Sequence, residues 1–133
     1  MNERILKIAT KKGYVSTMKK IAESTKYAIF SEYESVILLI KENGKKVIIG
    51  DFYDEVQKAV ISQDENYCVM VGYGVIVYFL KEPFTAYNYS SKTKQWKEWY
   101  RKRGDNTWII DVNCLGNSIE LIMEDGSKNR LKI

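Results

Sequence analysis

Hydrophobic residues are densest between Val56 and Leu80, where the chain reads VQKAVISQDENYCVMVGYGVIVYFL. Three runs of β-formers lie there, at residues 56–62, 67–71 and 75–80. Gln63-Asp64-Glu65-Asn66 and Gly72-Tyr73-Gly74 separate them, and short Val/Ile/Tyr runs bounded by such turn residues predict an antiparallel meander. The last two runs are apolar at nearly every position, as in strands covered on both faces.

Upstream, residues 2–12 place Ile5, Leu6, Ile8 and Ala9 on one stripe of a short helix, with Gly13 set to close it. Residues 14–25 admit two readings. Ser16 could cap a second short helix with Met18, Ile21 and Ala22 inward, or alternating Thr and Val could form a strand. Two helices joined at a glycine raise a helix-turn-helix, but the chain turns β-rich from Lys26, where a recognition helix is required. Residues 27–30 and 35–40 read as strands, and Glu42-Asn43-Gly44-Lys45 as the hairpin turn to a return strand at 46–50. Asp51 to Glu55 is a connecting loop. Pro83 ends the central meander, because proline cannot donate to a ladder.

Residues 84–91 are aromatic and polar without a clean period, and 92–102 fit a helical turn or two with Trp96, Trp99 and Tyr100 on one side. Residues 108–114, 118–124 and 128–133 form a second meander, turning at Leu115-Gly116-Asn117 and Asp125-Gly126-Ser127. The fold class predicted is mainly β (α+β): one domain over residues 1–133, built of antiparallel meanders. It has about eight or nine strands in a sandwich or partial-propeller-like arrangement, with the short N-terminal helix and a possible one near 92–102.

Composition changes this picture little. A chain of 133 residues, 45% hydrophobic and 29% charged, is an ordinary globular domain. Its net charge of +4 permits anionic partners without requiring them. No apolar run suits a signal peptide or a membrane span, which places the protein in the cytoplasm. There Cys68 and Cys114, each inside an apolar run, read as buried free thiols.

Candidate chemistry is narrowed mostly by absence. The chain has no histidine, which removes Ser-His-Asp and Cys-His sites, His-containing zinc sites and His general bases. Asp51, Asp54 and Glu55 are the nearest approach to an acidic cluster, and they read as solvated turn carboxylates. Gly72-Tyr73-Gly74 precedes a strand rather than a helix, so it has no helix N-terminus to offer a phosphate. Asn88-Tyr89-Ser90 matches a glycosylation acceptor, without meaning in an unsecreted protein. No catalytic, cofactor-binding or metal-ligating residue is assigned.

The sharpest local feature is KTKQWKEWYRKR at 92–103. Its cations could track phosphates while the indoles stack on bases, as in a single-strand binder. Alternatively the tryptophans pack on the sheet and the lysines stay wet. A Trp/Tyr/Arg patch gripping a protein partner fits the same composition.

The segments GDFY at 50–53, AVISQDENYCVMVGYGVIVYFL and KQWKEWYRKRGDNTWIIDV resemble small bacterial immunity proteins encoded beside polymorphic toxins. The resemblance covers roughly residues 27–133 and rests on strand rhythm and aromatic placement. It implies a non-enzymatic single-domain binder, a toxin as protein partner and a cytoplasmic location. Since immunity to a nuclease is usually acidic, the charge of +4 points to a toxin of another activity or to no toxin at all. The function expected is therefore protein binding, with a single-stranded nucleic-acid module using 92–103 as the alternative. The partner-binding residues expected are Asp51, Tyr53, Tyr87, Tyr89, Trp96, Trp99, Tyr100, Arg101 and Arg103.

Overall fold

The computed structural model describes residues 5–9, 15–89, 91 and 93–133, with side chains from residue 18 on. Every regular element among them is an antiparallel strand, and the strands form three sheets in chain order. The first sheet holds β1 (Ile5–Ala9), β2 (Val15–Glu23), β3 (Tyr27–Glu32), β4 (Ser35–Ile40) and β5 (Lys45–Asp51). The second holds β6 (Lys58–Ile61), β7 (Tyr67–Gly72), β8 (Gly74–Phe79) and β9 (Trp96–Trp99). The third holds β10 (Ile109–Cys114), β11 (Ser118–Met123) and β12 (Lys128–Lys132).

The two expected helices and the strand count need correction. Residues 5–9 are strand β1, not helix; the rest of the 2–12 stretch and Gly13 lie outside the described residues. Of the two readings open for 14–25, the strand is the one that forms, as β2 over residues 15–23. The stretch near 92–102 carries strand β9 instead of a helix. Spacings of three and four make a helical stripe only in a helix. In a strand Trp96 and Trp99 face opposite ways, and hydrogen-bonding partners on β2 and β8 decide the matter. The strand count of eight or nine is too low for the same reason.

The central sheet is covered on both sides, as the apolar density of β7 and β8 predicts. Cys68, Met70, Ile76 and Tyr78 point into one core, shared with Ile29, Leu38 and Ile49 of the first sheet. Val69, Val71, Val75 and Val77 point into the other, shared with Val112, Ile119 and Leu121 of the third sheet. Successive strand residues face opposite sides, so two uninterrupted apolar strands can serve both cores at once. The three sheets therefore stack as layers around the β7–β8 hairpin.

Turn chemistry locks the layers together. Ser62, itself buried, accepts the amides of Asn66 and Tyr67 and donates to Asp64 at 2.8 Å. This holds Glu65 in a left-handed conformation (φ 59°), and its carboxylate accepts Ser24 Oγ at 2.5 Å and the Lys26 amide at 2.9 Å. Those contacts tie the β6–β7 turn to the loop before β3 and hold the Glu65 carboxyl below its ordinary range. Beyond β8 the chain leaves the sheet through a cis Glu82–Pro83 bond. Among the described residues no helix is long and apolar enough to cross a membrane.

Candidate functional site: a tyrosine-lined cleft

Strand β9 is an edge of the central sheet, pairing with β8 so that Trp96 lies opposite Tyr78 and Trp99 opposite Val75. The two indoles are three residues apart and thus face opposite sides of the sheet. Trp96 is buried in the first core, stacked on Tyr78 with centroids 6.2 Å apart and tilted against Tyr87 at 5.1 Å. Trp99 is half-buried against the second core. The one-sided arrangement that a helix would give does not form.

Tyr100 takes a left-handed conformation (φ 57°), which turns the chain out of β9 and sends the Arg101 side chain back across the sheet end. Arg101 is where the site is assembled. Its Nε donates to Glu98 Oε1 at 3.1 Å, and Nη1 donates to the Tyr73 carbonyl at 3.2 Å. Nη2 donates to the Tyr87 hydroxyl at 3.2 Å and to the carbonyl of Asp51. The guanidinium also sits 4.6 Å from the Phe52 ring centroid. A planar fork with five donors can join four chain segments in this way, whereas an ammonium cannot. The ends of β5 and β9, the β7–β8 turn and residue 87 are thereby fastened to one side chain.

The charge is matched where it is enclosed. The Arg101 and Glu98 side chains are 11% and 19% exposed, and the Tyr87 hydroxyl donates to the same Glu98 oxygen at 2.5 Å. Burial first, then this bond to a carboxylate, pushes the Tyr87 phenol well above its ordinary range, so it stays neutral. Gly74 completes the joint. A Cβ there would lie 2.5 Å from Arg101 Cδ and 2.7 Å from the Tyr100 carbonyl, and its φ of 94° suits only glycine.

Above this frame lies a cleft of about 620 Å³. Tyr53, Tyr73, Tyr89 and Tyr100 wall it, and Lys102 and Arg103 stand on its rim. Tyr53 is 85% and Tyr89 61% exposed. Tyr53 meets Tyr73 edge-on at 6.1 Å, and Tyr73 leans on Trp108 at 4.5 Å, so the rings support one another. Tyr89 is braced by donating its hydroxyl to the Arg101 carbonyl at 3.0 Å.

Of the residues predicted from sequence, Asp51, Tyr53, Tyr89, Tyr100, Arg101 and Arg103 come together here. Tyr87, Trp96 and Trp99 do not line the cleft; Tyr87 and Trp96 hold it from beneath. Sequence reasoning missed Tyr73 and the loop residues Asn106 and Thr107. An aromatic between two glycines at a hairpin tip was the available signal for Tyr73, since a tip has little of its own strand to pack on.

The cleft holds no convergent acid–base set. Asp51, Asp54 and Glu55 are all exposed, and among the described residues no three His, Cys, Asp or Glu side chains cluster as metal ligands would. Both cysteines are free; Cys68 is fully buried and Cys114 half-buried, and burial raises both thiols above their ordinary value. No known protein family, curated protein or solved structure matches the chain.

Proposed function

We propose that this domain is a non-enzymatic protein binder that uses the tyrosine cleft as its recognition face and acts as an immunity protein for a cognate toxin. The observation that carries the reading is a pair of open tyrosines, Tyr53 and Tyr89, standing on a frame cross-linked by Arg101. Rigid aromatic anchors beside charged groups bring large contact area at little entropy cost, which is the make-up of binding hot spots. Lys102 and Arg103 on the rim favour a partner with an acidic face.

The single-stranded nucleic-acid reading draws less support. Its stacking platform was to be Trp96 and Trp99, and these serve opposite cores. Arg101, one of its phosphate contacts, is spent on protein oxygens. As scaffold, we propose the partial-propeller form over a two-sheet sandwich, because sequential meanders pack face to face in chain order.

Co-expression with the product of the neighbouring gene tests the function. Wild-type protein should restore growth to cells making that product, and a Tyr53→Ala/Tyr89→Ala variant should not. A harmless neighbour, or equal protection by the variant, contradicts the proposal.

A further inference from the structure

The third sheet ends on β12, and no other described strand pairs with its outer side. The register sets Ser118 opposite Lys132, Glu120 opposite Arg130 and Ile122 opposite Lys128. Just beyond these pairs, the Ile133 amide donates to the Asn117 carbonyl at 2.9 Å, and the Met123 amide to the Ser127 carbonyl at 2.8 Å. Antiparallel pairs alternate between bonded and non-bonded. Residues 129 and 131 therefore bond to β11, and the amides and carbonyls of Lys128, Arg130 and Lys132 point out of the sheet edge. The side chains of these three residues share one face, opposite the core, and all are exposed. One acidic side chain, Glu120, faces them from β11, and it also accepts from Asn113.

A free ladder whose outward groups all belong to basic residues has a defined complement. Pairing with a second copy of β12, antiparallel about Arg130, would set Arg130 against Arg130 and Lys128 against Lys132. Like charges directly opposite oppose that pairing. A strand with acidic residues at alternate positions would bond the same main-chain groups and meet each cation with a carboxylate. We infer that the β12 edge accepts an extended acidic segment of a partner protein as a fourth strand of the third sheet. The inference stands apart from the cleft.

A peptide alternating glutamate with threonine, and the same peptide N-methylated at every second residue, test it by titration and amide exchange. The unmodified peptide should slow exchange at Lys128, Arg130 and Lys132, and Arg130→Glu should weaken its binding by roughly tenfold. N-methylation keeps the charge but removes the ladder donors, and should abolish binding. Tyr53→Ala should leave the peptide affinity unchanged, which separates this edge from the cleft. No binding at millimolar peptide, equal binding of the N-methylated form, or protection elsewhere in the chain would overturn strand addition; equal binding of the two peptides would mean only a patch of charge.

Discussion

The β7–β8 hairpin and the segment running from β9 to Arg103 lie side by side, but they are held by opposite means. The hairpin is held chiefly by alternation: one set of side chains enters each core, and the Tyr67 and Tyr78 hydroxyls add single bonds to the Gly116 and Thr85 carbonyls. The β9 segment is held by directed bonds converging on Arg101, a residue whose type is usually solvated. The hairpin carries stability and the segment carries shape. A surface that must present open tyrosines in fixed positions needs the second kind of support, because exposed rings gain little from burial.

This contrast can be broken from either side. The largest loss should come from the hairpin: Tyr78→Ala removes a ring buried between Trp96 and the first sheet and should cost about 4 kcal/mol, read by denaturant unfolding. Next is the joint between the regions. Gly74→Ala meets Arg101 and the Tyr100 carbonyl and forces a left-handed alanine, for about 2–3 kcal/mol. Arg101→Met should cost about 2 kcal/mol, since Glu98 and two carbonyls lose their donor in a partly screened site. Arg101→Lys should not restore that stability, because an ammonium cannot reach the same set of oxygens.

Tyr87→Phe is milder, about 1 kcal/mol at neutral pH. It also has a pH signature. The folded phenol titrates above its ordinary value of 10.0, so its contribution is complete below pH 10 and falls away as pH rises beyond it. Alkaline unfolding should therefore steepen less in the Phe variant than in the wild type. The smallest stability effect should be that of Tyr53→Ala, under about 0.5 kcal/mol by thermal unfolding, since the ring is 85% exposed.

The same contrast explains what could be read from residue order. The hairpin and its two-sided burial are local properties of period two, visible in Tyr67–Phe79 without knowledge of neighbours. The role of Arg101 depends on Asp51, Tyr73 and Tyr87, which lie 50, 28 and 14 residues away, and no local pattern carries that. The loops flanking the central meander were recognisable as the place to look, and they do converge on the cleft. The helices expected over 2–12 and near 92–102 give way to strands at 5–9 and 96–99, because short amphipathic stripes fit either period and long-range pairing decides between them. Trp96 and Trp99 show the consequence: one spacing means one face in a helix and two faces in a strand.

Open tyrosines on an Arg101-fastened frame are the proposed recognition face. Calorimetric titration of the proposed toxin partner into wild type and into Tyr53→Ala/Tyr89→Ala tests it most directly, with thermal midpoints measured alongside. Affinity should fall by roughly a hundredfold or more, as for loss of hot-spot aromatics, while the midpoint stays near that of the wild type. An unchanged affinity in the folded variant would contradict the claim.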